Sequence, residues 1–177
     1  MTNFINFITV ARIFLAPIIL IFLIFGNYLV CVLLFFLAGL TDYFDGYLAR
    51  KYNAESQLGE ILDPIADKIL IVFILIGLSV DLDSFLIAFL GSLIIAREIG
   101  VSALRDYSSR NNKSHETKVT YLAKIKTSVQ LFSIGLYLFA LAFSFNLLII
   151  IADIFLIIAT LITLYTGYKY TLNVFKK

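Results

Sequence analysis

Long apolar runs separated by short polar turns recur from one end of the chain to the other. Five or six of them are long enough, or nearly so, to cross a hydrocarbon layer of about 30 Å. The pattern predicts six helical spans, at about 6–25, 28–50, 61–80, 84–107, 121–143 and 147–170. Pro17 is expected to bend the first span or to end its first part, because proline forfeits a backbone hydrogen bond inside a helix. The turns GN, DLDS and SFN fall on one side of the array, and the polar segments KYNAESQLGE and SSRNNKSHETKVT fall on the other. No internal repeat or low-complexity linker interrupts the pattern.

Composition agrees with the pattern. Hydrophobic residues make up 61% of the chain and mean hydropathy is +0.98, well above the roughly half that is usual in soluble domains. The expected class is an all-α integral membrane protein, folded as a single membrane-embedded domain over 1–177. The net charge of +2 says little about partners, and none is expected among nucleic acids. Charge distribution says more. The turns GN, DLDS and SFN contain no Lys or Arg, and all fourteen basic residues lie on the opposite side. By the positive-inside rule, those segments and both termini belong in the cytosol. Arg12 is the one basic residue shortly before the run 13–25 and no A-x-A site follows it, so the first span reads as retained rather than as a signal peptide. The single cysteine, Cys31, lies in an apolar run and reads as a small core residue.

Four aspartates break the apolar pattern. Asp42, Asp45, Asp63 and Asp67 stand at spacings of three, eighteen and four. On a helix, three- and four-residue spacings put side chains on one face. Counting from the turn side, Asp42 lies fourteen residues from Tyr28 and Asp67 thirteen from Val80, while Asp45 and Asp63 each lie seventeen from the same landmarks. At 1.5 Å per residue on antiparallel spans, Asp42 levels with Asp67 and Asp45 with Asp63, roughly 20–25 Å from the outer face. Arg12, Arg97 and Lys126 count to the same slab. Charges from five spans thus converge at one depth, which outlines a polar chamber open to the cytosolic side.

Carboxylates gathered in an apolar environment need a positive partner. Hard oxygen ligands with no nearby His or Cys suit Mg²⁺, Mn²⁺ or Ca²⁺, and paired cations bridged by carboxylates recur in phosphoryl transfer. Structural ion pairing with Arg12, Arg50, Lys68 and Arg97 is the simpler alternative. Gly46, Ala49 and Gly59 suit close approach of a ligand or of another helix. Pro64 suits the first turn of a helix, which would put Asp63 at a helix N-terminus. Asp153 is expected near a helix end, and His115 in the polar segment is expected to be exposed.

Asp42, Asp45, Gly46, Ala49, Arg50, Gly59, Asp63 and Asp67 form the pattern D-x2-D-G-x2-A-R-x8-G-x3-D-x3-D. This resembles in full the signature of the CDP-alcohol phosphatidyltransferases. The resemblance implies six spans and two divalent cations, Mg²⁺ or Mn²⁺, held by Asp42, Asp45, Asp63 and Asp67. It also implies that Asp67 is the general base on the acceptor hydroxyl. Other segments are similar to the branch of the family that makes phosphatidylglycerophosphate in bacteria: NFITVAR at 6–12, AREIGVSALRD at 96–106 and AKIKTSVQ at 123–130. Asp106 stands where that branch has Glu, and Ala123 where it has Gly. The resemblance implies a CDP-diacylglycerol site including Asn6, Thr9, Gly46, Ala49, Arg50 and Gly59. It implies glycerol 3-phosphate as acceptor, with Arg97, Arg105, Lys124 and Lys126 on its phosphate. A homodimer in the bacterial inner (cytoplasmic) membrane is likewise implied. Within the family, phosphatidylglycerol or an inositol phosphate would be another acceptor. A divalent-cation channel or transporter would also gather aspartates at one depth, without needing the glycine and arginine spacings.

Overall fold

A computed structural model of the chain describes residues 2–52, 57–110 and 121–175, with side chains at 7–44, 51, 59, 61–110, 122 and 125–175. Among the described residues the fold is wholly helical: α1 (Thr2–Ile24), α2 (Tyr28–Tyr52), α3 (Gln57–Asp81), α4 (Phe85–Arg110), α5 (Tyr121–Phe143) and α6 (Asn146–Phe175). The windows Phe7–Ile24, Phe85–Arg110, Ile125–Phe143 and Asn146–Phe175 are long and apolar enough to cross a membrane, and α2 carries the shorter apolar stretch Tyr28–Phe44. Large apolar side chains such as Phe14, Leu33, Phe89, Phe132 and Leu161 stand exposed on the outside. Arg12, Arg97 and Lys126 are buried within, at 1%, 9% and 6% exposure. A soluble fold could not keep so much apolar surface outside. Among the described residues the chain is all-helical, with the long apolar helices of a membrane protein.

Three tight turns close one end. Gly26 adopts φ 69°, Asp83 φ 46° and Ser144 φ 57°. After α1, the Asn27 N–H donates to the Phe22 carbonyl and the Gly26 N–H to that of Leu23. After α3, Ser84 and Asp83 bond in the same way to Ser79 and Val80. This left-handed cap satisfies the last carbonyls of a helix and reverses the chain within a few residues. It forces α1/α2, α3/α4 and α5/α6 to run as antiparallel pairs.

The helices close into a ring in the order α1, α2, α5, α6, α4, α3, with α3 also touching α5 across the middle. That cross-contact divides the interior in two. One compartment is walled by α1, α2, α5 and α3, and the other by α3, α4, α6 and α5. At the turn end the interior is apolar, built from residues such as Ile19, Leu23, Ile74, Leu78, Ile87 and Leu138. The Tyr28 hydroxyl donates to Asp81 at 3.0 Å, tying α2 to α3. The Cys31 thiol donates to the Ile19 carbonyl at 3.6 Å and is a core residue, as expected.

Three local expectations are corrected. Pro17 does not end a first segment, because α1 runs unbroken through it. Pro64 lies inside α3 rather than in its first turn, so Asp63 is not at a helix N-terminus. The helix already starts at Gln57, and the one bond Pro64 forfeits is to the carbonyl four residues before it, near the polar end of the helix. Asp153 lies two turns into α6, where it accepts a hydrogen bond from Tyr137 of α5. A carboxylate surrounded by apolar residues takes the nearest donor, and here that donor is on the neighbouring helix.

Candidate active site

The two compartments carry opposite charge, and α3 serves both. In the first, the Arg12 guanidinium of α1 is bridged between two carboxylates. Its Nη1 donates to Asp42 of α2 and, at 2.9 Å, to Asp67 of α3. Arg12 is 1% exposed, whereas the Asp42 and Asp67 side chains are 50% and 36% exposed. The cation is therefore sealed beneath an acidic floor whose other face remains open. One turn before Asp67, Asp63 accepts a hydrogen bond from the Thr9 hydroxyl at 2.9 Å. Thr9 and Arg12, three residues apart on α1, thus hold the two α3 aspartates, four residues apart, in register.

The depth count placed Asp42 level with Asp67 and Arg12 beside them, and these three side chains do meet. Asp45 lies outside the described side chains, as do Asn6, Gly46, Ala49, Arg50 and Lys124; His115 lies outside the described residues altogether. Gly59 is buried on α3. Among the described residues no three acidic or histidine side chains close on a common point. The donor set nevertheless fits divalent cations in chemistry and in charge. Asp42, Asp63 and Asp67 offer hard carboxylate oxygens, and among the described residues Arg12 is the one cation paired with them. An open carboxylate cluster with that deficit attracts divalent cations rather than monovalent side chains.

The second compartment is basic. Lys68, the residue after Asp67, turns to the other side of α3 and donates to Ser102 of α4 at 2.6 Å. Consecutive residues on a helix diverge by about 100°, which is how one helix supplies an acid to one compartment and a base to the next. Arg97 is locked onto α6: Nε donates to the Thr163 carbonyl at 2.9 Å and Nη2 to the Thr166 hydroxyl at 2.8 Å. Its Nη1 donates to Glu98 at 2.9 Å. Lys126 of α5 pairs with the same Glu98 carboxylate. Arg105 lies over the Tyr170 ring, 5.4 Å from its centroid, with its Nη2 3.5 Å from the Tyr170 hydroxyl. The buried Nε of Arg105 has no hydrogen-bond partner among the described residues. Four cations thus gather around one carboxylate. Such a surplus recognises an anion with several oxygens, because guanidinium groups offer paired donors to phosphate.

Of the basic residues singled out in the sequence, Arg97, Arg105 and Lys126 come together in this compartment. Five further members carried no signal in the sequence for a place in this compartment. Glu98 was hidden inside the AREIGVSALRD segment, and Lys68 read only as an ion-pair partner. Thr163 and Thr166 lie at the end of an apolar run, where small polar residues suit helix packing, and Tyr170 lies in the tyrosine-rich stretch that follows.

Gly167 makes the grip on Arg97 possible. A Cβ there would lie 2.9 Å from Arg97 Cγ and 3.2 Å from its Nε. Arg97 is held at both ends and cannot swing away, so Gly167→Ala should displace its guanidinium. The expected result is affinity for inorganic phosphate lowered about tenfold, together with roughly 1–3 kcal/mol of overpacking strain. A phosphate titration with a melting curve would check this, and an unchanged phosphate affinity would contradict it.

Comparison with known proteins points one way. The family model described as CDP-alcohol phosphatidyltransferase matches residues 2–169. A Rickettsia typhi protein named CDP-diacylglycerol–glycerol-3-phosphate 3-phosphatidyltransferase is 39% identical, covering 96% of this chain and 96% of its own. A protein of the same name from Rickettsia felis is 40% identical over 95% of this chain and 93% of its own. One from Haemophilus influenzae is 34% identical over 93% of this chain and 89% of its own.

Proposed function

The chain belongs to the CDP-alcohol phosphatidyltransferase family, and on that premise we propose that it transfers the phosphatidyl group of CDP-diacylglycerol to glycerol 3-phosphate, releasing CMP and forming phosphatidylglycerophosphate. The observation that carries this reading is the pair of adjoining compartments of opposite charge. The reaction needs a place for metal-bound diphosphate beside a place for an anionic acceptor. Asp67 and Lys68 mark the border, consecutive on α3 and committed to opposite sides.

Asp42, Asp45, Asp63 and Asp67 would hold two divalent cations, Mg²⁺ or Mn²⁺, which supply neutralisation of the diphosphate and of departing CMP. The chain's own groups do the rest. Arg12 fixes the orientation of Asp67 and keeps the Asp42 and Asp67 carboxylates together. Asp67 accepts the proton of the acceptor hydroxyl as that oxygen attacks the lipid-side phosphorus. By the family's pattern, Asn6, Thr9, Gly46, Ala49, Arg50 and Gly59 would line the nucleotide-lipid side. Arg105, with its spare Nε, and Arg97, with one N–H left on each terminal nitrogen, face the acceptor phosphate. Lys126 adds charge to the same subsite, where Lys124 would add more, and Glu98 spaces Arg97 from Lys126. Holding the hydroxyl against the phosphorus in a preorganised field supplies most of the acceleration.

In this reading all six helices cross the bacterial inner membrane as one domain, with both termini and both compartments on the cytosolic side and the Schellman-capped turns outside. The protein works as a homodimer. Purified protein given CDP-diacylglycerol and a panel of acceptors tests the assignment through CMP release. Glycerol 3-phosphate should support release, while glycerol, serine and inositol, which lack the phosphate, should not. Activity restricted to phosphatidylglycerol or to an inositol phosphate would reassign the acceptor. Chelation should abolish release, and added Mg²⁺ or Mn²⁺ should restore it. Activity that survives exhaustive chelation would contradict the metal assignment. Divalent-cation flux through liposomes without CMP release would identify a transporter instead.

A further inference from the structure

The basic compartment gathers two arginines of α4 at one aromatic ring of α6. Tyr170 is 3% exposed. The guanidinium carbon of Arg97 lies 5.8 Å from its ring centroid and that of Arg105 lies 5.4 Å from it. Resting on the reading above that this compartment takes the acceptor phosphate, we propose that Tyr170 is a positioning residue that sets the acceptor class. Its ring draws Arg97 and Arg105 into one fork, which takes a phosphate monoester in preference to a diester.

Four observations support it. First, the two heads converge. Arg97 and Arg105 are eight residues apart on α4, a rise of about 12 Å. At 5.8 and 5.4 Å from one centre, their guanidiniums stand closer together than their backbones do. Like charges brought together repel, and the negative face of an aromatic ring offsets that repulsion. Second, the ring is fixed in place. It clusters with buried Val101, which lies midway between the two arginines on α4. On α6, Thr163, Thr166, Gly167 and Tyr170 fall at helical spacing on one face, so a single stripe of α6 receives both arginines.

Third, the two arms are held differently. Arg97 has hydrogen bonds to Thr163, Thr166 and Glu98. Arg105 has, among the described residues, the Tyr170 ring and, at 3.5 Å, the Tyr170 hydroxyl. Tyr170 therefore decides where Arg105 points. Fourth, both arms keep donors to spend. The buried Nε of Arg105 has no partner among the described residues, and Arg97 keeps one N–H on each terminal nitrogen. Donors arriving from two arms match an anion with three free oxygens and two charges, which is a phosphate monoester. A diester has two free oxygens and one charge, and leaves part of the fork unpaired. The acceptor class that follows is a small phosphate monoester, and not a lipid whose phosphate is already a diester.

The test compares methyl phosphate with dimethyl phosphate, titrated by calorimetry into protein in nanodiscs at about pH 8, where the monoester is doubly charged. Wild type should bind methyl phosphate at least about tenfold more tightly than dimethyl phosphate. Tyr170→Leu should bring the two affinities within about threefold of each other, by weakening the monoester. Tyr170→Phe keeps the ring and should keep the preference. Tyr170→Met carries the same comparison as Tyr170→Leu where the latter does not fold. A preference retained without the ring, an equal weakening of both esters, or a preference lost in Tyr170→Phe would overturn the proposal. The two readings fail differently. If the acceptor-phosphate reading is wrong, wild type binds neither ester and glycerol 3-phosphate supports no CMP release. If only the role of Tyr170 is wrong, wild type prefers the monoester and releases CMP, and the variants without the ring keep the same preference.

Discussion

Replacing Asp67 with Asn should reduce CMP release by at least about 10³-fold while leaving the protein folded. Asparagine keeps the shape of the side chain and one oxygen to accept from Arg12 Nη1, now 2.9 Å from Asp67, so the link between α1 and α3 survives. The amide cannot accept a proton at neutral pH, and it lowers the negative charge that would attract the cations. Loss of a general base alone is worth about 10²–10⁴, and weaker metal binding adds to it. Single-turnover CMP release, with size-exclusion behaviour as the folding control, checks the result. A variant within about tenfold of wild type would remove Asp67 from the base role. A variant that aggregates would show instead that its charge is needed for folding.

Arg12 should matter in a different way. Arg12→Leu keeps most of the buried volume but leaves Asp42 and Asp67 facing each other without the guanidinium between them. Breaking a deeply buried pair from one side costs about 3–5 kcal/mol. Here both carboxylates are partly open, so roughly 2–3 kcal/mol is expected, with CMP release reduced on the order of 10²-fold as Asp67 loses its orientation. A divalent cation can take over part of the missing charge. The variant's melting temperature should therefore rise more on adding Mg²⁺ than that of the wild type. A variant with an unchanged melting temperature and no larger Mg²⁺ response would contradict the bridging role.

Much of this site was legible in the sequence for a simple reason. Unbroken antiparallel helices convert residue number into depth, so counting from the turns sufficed to bring Asp42, Asp67 and Arg12 together. The same arithmetic worked for Arg97 and Lys126, which share Glu98. Helix positions were legible from apolar runs and the short turns between them. Depth, however, carries no information about which helix neighbours which. The cross-contact of α3 with α5, and hence the division into acidic and basic compartments, appears only in the packed ring. The separation of Asp67 from Lys68 follows from that division. The part played by Thr163, Thr166 and Tyr170 was invisible for the same reason, since α6 lies at the far side of the basic compartment from the aspartates. Pro64 misled because proline favours first turns statistically, yet tolerates a helix interior near a polar end.

The central claim is that these two compartments join a lipid phosphate to a phosphorylated acceptor. The most direct test reconstitutes the purified protein in a bilayer with CDP-diacylglycerol, glycerol 3-phosphate and Mg²⁺, and identifies the products by mass spectrometry. The account predicts CMP and phosphatidylglycerophosphate in equal amounts, with no CMP when glycerol 3-phosphate is withheld. CMP formed at the same rate without the acceptor, with phosphatidate as the lipid product, would make the protein a hydrolase and contradict the account.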